Sequence, residues 1–158
     1  MKILLSVLIV FFSAYINAQP EQIYLFRHSE KLTDKDPHLS ARGEIRAQQL
    51  HSLINTSKTV TLYSTHYNRT LETAAPLADH FKVKIATYDP SKLVALQQDI
   101  LTKSGTVIII GHSNTTVELA QLFNSVELEK MPESEFDRYF LLNKESQGYT
   151  LNDLKMGF

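Results

Sequence analysis

Residues 106–110 read Thr-Val-Ile-Ile-Ile, an apolar run that stops at Gly111. Side chains so rich in β-branching favour a strand, and successive side chains of a strand point to opposite faces. A strand without alternation is therefore apolar on both faces, as a parallel sheet covered on each side by helices requires. The rest of the chain supplies such partners. Short apolar runs at 23–26, 59–63 and 83–87 alternate with amphipathic segments. After Ser40, a natural N-cap, Ala47, Leu50 and Ile54 recur at helical spacing. Leu71, Ala74, Ala75, Ala78 and Phe81 share a second stripe, within which Pro76 removes the hydrogen bond to the Glu72 carbonyl and is expected to bend the helix. Asp89-Pro90-Ser91 opens a helix bearing Leu93, Leu96 and Ile100, and Ser113 or Asn114 caps one bearing Leu119, Leu122 and Phe123. Closing strands are expected at 139–142 and 148–154. This alternation predicts a single α/β domain of three α/β/α layers around a mostly parallel central sheet.

The first eighteen residues stand outside that pattern. A basic start at Lys2, an apolar run over 3–12 and small residues ending at Ala18 have the layout of a secretory signal peptide, with a run too short to span a bilayer. Cleavage after Ala18 would leave residues 19–158 as the domain, periplasmic or secreted, with no stable membrane association once the signal is removed. No cysteine is present, so neither a lipid-anchored cysteine nor a disulfide is possible, and the core alone must stabilise the fold. With 16 Lys+Arg against 17 Asp+Glu and no basic cluster, the chain carries no electrostatic footprint for nucleic acid.

In open α/β sheets ligands bind beyond the carboxyl ends of the strands. Here those ends read Arg27-His28-Ser29-Glu30-Lys31, then Ser64-Thr65-His66-Tyr67-Asn68-Arg69-Thr70, then Gly111-His112-Ser113-Asn114. Histidines and arginines from three separate strand ends converge on one rim. The combination suits phosphoryl transfer, whose transition state spreads negative charge over three equatorial oxygens that guanidinium forks and imidazole can hold. The short segments around the rim imply an open site.

The stretch from Ile23 to Lys31 resembles the Arg-His signature of the histidine phosphatase superfamily, also called phosphoglycerate-mutase-like, in its short Arg-His-Ala-Glu-Lys variety. The similarity continues in family order through Leu39-Ser40-Ala41-Arg42-Gly43, Tyr63-Ser64-Thr65, Arg69-Thr70, Thr73-Ala74 and the run from Val107 to Asn114. The resemblance implies a phosphoglycerate-mutase-like fold and a phosphatase acting through a phosphohistidine on His28. It implies that Arg27 and Arg69 bind the phosphoryl oxygens and that His112 is the second pocket histidine. The scheme needs no metal and no organic cofactor, and its partner is a small phosphorylated substrate or a phosphoprotein. Ser29 departs from the family's Gly or Ala and adds a hydroxyl beside the nucleophile. The general acid varies in position among relatives: Asp89, after the third strand, and Glu30, two residues past the nucleophile, are the candidates. Against these stand a helix cap for Asp89 and a structural ion pair with Lys31 or an arginine for Glu30.

Other chemistries fit less well. Gly111-His112-Ser113-Asn114-Thr115 is like a G-x-S-x-G elbow, but Thr115 replaces the closing Gly and no histidine comes after His112 to complete a triad. His28, Glu30, His66 and His112 reproduce no metal-ligand spacing, and adjacent arginines repel a cation. A non-catalytic phosphate-binding module would not need the nucleophile. A phosphomutase resembles this chain at its core, but mutases carry longer insertions that shelter the phosphoenzyme, for which residues 19–158 leave little room.

Overall fold

In a computed structural model, which describes residues 19–158, six strands form one sheet flanked by helices. The signal peptide expected over residues 1–18 lies outside the described residues. In chain order the elements are β1 (Gln22–Arg27), α1 (Ala41–Gln49), β2 (Val60–Thr65), α2 (Asn68–Phe81), β3 (Ile85–Tyr88), α3 (Leu93–Ile100), β4 (Thr106–Gly111), α4 (Ser113–Asn124), β5 (Arg138–Lys144) and β6 (Tyr149–Lys155). The strand order is β3-β2-β4-β1-β5-β6. β3, β2, β4 and β1 run parallel, and β5 pairs antiparallel with both β1 and β6. The expected three-layer, mostly parallel α/β domain is therefore the observed one.

Every residue of β4 is buried, and its two faces feed two separate cores. Val107 and Ile109 join Ile23, Leu25, Leu93, Leu96, Leu119 and Phe140 under α3 and α4. Ile108 and Ile110 join Tyr24, Phe26, Leu50, Leu62, Ala74 and Leu77 under α1 and α2. A strand lacking alternation thus carries helices on both sides, with one half of its side chains in each layer. Among the described residues no helix is long and apolar enough to cross a membrane.

Local expectations are met with shifts at the element ends. Ser40 caps α1 by accepting from the Gly43 amide at 3.2 Å, and the last turn of the expected helix is a 3-10 turn, Leu50–Leu53. α2 runs through Pro76 without a break; Thr70, Thr73, Ala74 and Leu77 are its buried face, and Lys82 closes it in the left-handed conformation at φ 56°. The third strand begins two residues later than the apolar run at 83–87 suggested. Asp89-Pro90-Ser91 does not open α3 directly: Asp89 ties off a turn, and the helix begins at Leu93. α4 is capped by neither Ser113 nor Asn114. His112 is the cap, with its own amide donating to Thr115 Oγ1 at 3.0 Å, so the histidine ends the strand and starts the helix at once.

Gly43 fixes how closely α1 approaches the segment after β1. A Cβ there would lie 2.0 Å from the Glu30 carbonyl oxygen, a backbone atom that cannot step aside. The same carbonyl accepts the Ser40 amide at 2.9 Å, and the Glu30 carboxylate binds Arg46 on the same helix, so helix and segment form one clamp. Gly43→Ala is expected to destabilise the domain by about 2 kcal/mol or more, in the range for overpacked contacts, measured by urea unfolding.

Candidate active site

Parallel pairing sets Arg27 beside Gly111, and the His28 amide donates to the Gly111 carbonyl at 2.9 Å. The residues that leave β1 and β4, His28 and His112, thereby emerge side by side with ring centroids 5.7 Å apart. β2 lies on the other side of β4, and α2 starts from its carboxyl end, which brings Arg69 to the same place: its Nη2 lies 3.4 Å from His112 Nδ1. Four residues from three chain segments therefore meet at one rim, as the strand-end reading anticipated.

The nucleophile candidate is almost fully buried, at 3% exposure. Its Nδ1 lies 2.8 Å from the Ser29 carbonyl, which can only accept, so Nδ1 carries the proton and the neutral ring keeps a lone pair on Nε2. Ser29 is held in turn by its amide, which donates to Thr73 Oγ1 at 3.0 Å. Burial pushes the His28 pKa down to about 3; the Ser29 carbonyl opposes this, and Arg27, Arg69 and His112 reinforce it. For His112 burial and the charges of Arg69 and Arg27 bring the pKa to about 4. Its Nδ1 faces the Arg69 donor, so Nε2 carries the hydrogen and donates to Thr65 Oγ1 at 3.0 Å, which donates on to Thr70 Oγ1 at 2.9 Å. Both imidazoles are neutral at physiological pH.

The two arginines are used differently. Arg69 lies over the Tyr67 ring, and its terminal nitrogens reach only long contacts: 3.5 Å to Asp36 Oδ1 and 3.4 Å to His112. Such contacts are weak and are readily exchanged for a better acceptor. Arg27, 2% exposed, is stacked at 4.2 Å on Phe136, and its terminal nitrogens are already engaged. Nη1 donates to the carbonyls of Pro132 and Glu135 at 2.9 and 2.8 Å, and Nη2 to the carbonyl and Oε2 of Glu133 at 3.1 and 3.2 Å. The segment between α4 and β5 therefore closes over Arg27, contrary to the open rim expected, because three of its carbonyls accept from that one guanidinium. What Arg27 has left is Nε.

Three buried side-chain polar atoms among the described residues lack any partner: Arg27 Nε, Arg69 Nε and Ser29 Oγ. Buried polar atoms are nearly always satisfied, and an orphaned donor costs on the order of 1–3 kcal/mol. All three belong to residues of this rim. Their types, two guanidinium N–H groups and a hydroxyl, fit a tetrahedral oxyanion placed against His28.

Neither expected carboxylate is free for proton transfer. The Glu30 carboxylate is gripped by Arg46 through two 2.9 Å hydrogen bonds and by Arg42 at 3.1 Å. Burial raises its pKa, but the hydrogen bonds and charge of Arg46, with Arg42, outweigh this and lower it overall. The arginines, not Lys31, are its partners. Asp89 is exposed and accepts from the Ser91 amide and hydroxyl at 2.9 and 2.7 Å, which lowers its pKa. His66 is exposed, and among the described residues no group of three or more His, Cys, Asp or Glu side chains could hold a metal ion. The reading by strand ends missed Glu133 and Phe136, which lie in the irregular 125–137 segment and carry no periodic or motif signal.

The chain matches the family described as histidine phosphatase superfamily (branch 1) over residues 23–90. No curated protein sequence matches it significantly. Its fold is similar to that of an Agrobacterium tumefaciens protein assigned as the phosphohistidine phosphatase SixA, with 16% identity, 86% of this chain and 99% of that one covered, and a TM-score of 0.58. It is similar also to the protein histidine phosphatase SixA complexed with tungstate, with 15% identity, 85% and 96% covered and a TM-score of 0.60. A mycobacterial glucosyl-3-phosphoglycerate phosphatase aligns with 9% identity, 85% and 97% covered and a TM-score of 0.61. At these identities the likenesses establish the fold.

With both pocket imidazoles depressed and His38 raised by its Glu72 partner, the histidines should titrate apart. In 15N-edited NMR between pH 8 and 5, His38 is expected to protonate at or above the reference value of about 6.5. His28 and His112 should stay neutral over that whole range.

Proposed function

We propose that this chain, whose residues 23–90 match the histidine phosphatase superfamily (branch 1), hydrolyses phosphomonoesters, free or on a protein, through a phosphohistidine on His28. The observation that carries this reading is the set of three partnerless buried polar atoms, Arg27 Nε, Arg69 Nε and Ser29 Oγ, at the residues beside an imidazole with a free Nε2 lone pair. A phosphoryl group bound beside His28 would offer acceptor oxygens to these donors.

Each step rests on the residues present. His28 attacks phosphorus in line through Nε2, and its depressed pKa keeps that nitrogen unprotonated at neutral pH. The guanidinium groups hold the equatorial oxygens as negative charge spreads onto them, and Arg69 can exchange its long contacts for short ones to the ester. His112, neutral and tied through Nε2 to Thr65, presents Nδ1 toward Arg69 and so orients that arginine. In the second step water attacks phosphorus and gives up a proton to a base or to solvent, and the P–N electron pair returns to Nε2. Binding alone does not call for a nucleophile whose Nε2 lone pair is left uncommitted, which favours turnover over a phosphate-binding module.

Export belongs to the same proposal. The basic start, the apolar run over 3–12 and the small residues ending at Ala18 support a signal peptide and an enzyme that works in the periplasm or outside the cell.

Two measurements test the proposal. His28→Ala should abolish turnover of p-nitrophenyl phosphate in the presence of EDTA, and acid-sensitive, base-stable phosphate should be trapped on the wild-type chain but not on the variant; undiminished activity in His28→Ala overturns the mechanism. Intact-mass spectrometry of protein from a periplasmic fraction should find a chain beginning at Gln19, and a full-length chain confined to the cytosol overturns export.

A further inference from the structure

An in-line displacement needs a proton for the leaving oxygen, and the carboxylates of the rim sort clearly by what already holds them. Glu30 is locked by Arg46 and Arg42, and Asp89 by its own turn. Asp36 accepts from the Asn68 amide at 3.1 Å and so caps the start of α2. Glu133 is also held, but by Arg27 and Ser113, the residues adjoining His28 and His112. Its Oε2 lies 3.2 Å from Arg27 Nη2, its Oε1 accepts from Ser113 Oγ at 2.8 Å, and its side chain is 80% exposed.

Placement on the solvent side is the decisive point. His28, 3% exposed, attacks from the buried side of the rim, so the leaving group of an in-line reaction departs toward solvent. Glu133 sits on that side, anchored to Ser113 directly after His112 and joined to the same arginine that backs the phosphoryl site. We propose that Glu133 is the general acid and base of the reaction, a role that rests on the phosphatase reading above.

The proton and electron balance is simple. As His28 Nε2 forms its bond to phosphorus, the bond from phosphorus to the leaving oxygen breaks and its electron pair takes the proton of the Glu133 carboxylic acid. An alcohol leaves, and a carboxylate remains. That carboxylate then accepts a proton from water as the water oxygen attacks phosphorus, the P–N bond breaks toward Nε2, and the acid is restored. In the free protein Glu133 is ionised: the Ser113 hydroxyl lowers its pKa despite opposing desolvation, assisted by the charges of Arg27, Lys31 and Arg69. Glu135, on the same Arg27, and His112 are the further titratable groups beside it. For Glu133 to act as the acid, an ester dianion bound to the arginines must offset their attraction and, by adding a like charge beside the carboxylate, favour uptake of a proton from solvent. The contact with Arg27 is the resting place of a group that must be released to act.

The test uses leaving groups of different need. In Glu133→Gln, kcat/KM for phenyl phosphate should fall about a hundredfold, whereas 2,4-dinitrophenyl phosphate, whose leaving group departs without a proton, should lose less than about threefold. Inorganic phosphate binding by calorimetry should be retained in the variant. Equal losses on both esters, or no loss on either, overturn the assignment while leaving the phosphatase reading intact. Loss of phosphate binding marks a purely structural strap and overturns it too. A wild-type protein that turns over neither ester and forms no phosphohistidine removes the reading on which the assignment rests.

Discussion

The structure depends on the parallel pairing of β1 with β4. The apolar pairs in register, from Ile23 to Phe26 on one strand and Val107 to Ile110 on the other, end with Arg27 opposite Gly111. The last bond of that ladder, from the His28 amide to the Gly111 carbonyl, is also the first bond of the site. Because side chains alternate along a strand, a slip of one residue would exchange the contents of the two cores and separate the histidines. The large apolar burial on both faces therefore holds the register on which the chemistry relies.

Around that axis the charges are divided between structural and chemical work. Glu30, Arg42 and Arg46 form a self-contained cluster that joins α1 to the segment after β1, and Gly43 gives the helix room to approach. The neighbouring pocket holds two arginines and two histidines with little buried counter-charge. This is tolerable because burial and the guanidinium charges keep both imidazoles neutral, so the positive charge resides on the arginines alone. The first cluster ties a helix to a segment; the pocket arginines meet only partly exposed carboxylates, Glu133 at 3.2 Å and Asp36 at 3.5 Å, which leaves them available to an anion.

The strand ends, the helices and the four pocket residues were legible from the order of residues, since each depends on local periodicity or on position just past a strand. The boundaries were less so. His112 replaces Ser113 and Asn114 as the cap because the strand passes directly into the helix, leaving no loop residue to serve. The turn at Asp89 absorbs three residues that read as helix, because Ser91 satisfies the carboxylate before the helix begins.

The sequence by itself determined the layer architecture, the parallel core and the candidate nucleophile, since these derive from side-chain periods of two and 3.6 and from residues placed just past strands. Only the tertiary structure decided the state of Arg27 and the presence of Glu133. Both depend on contacts between segments more than a hundred residues apart: Arg27 meets Pro132, Glu133 and Glu135 across separations of 105 to 108 residues. An irregular segment has no period from which to read its path. Its position is set by where its carbonyls and carboxylates find donors, and those donors meet it only after the sheet has assembled.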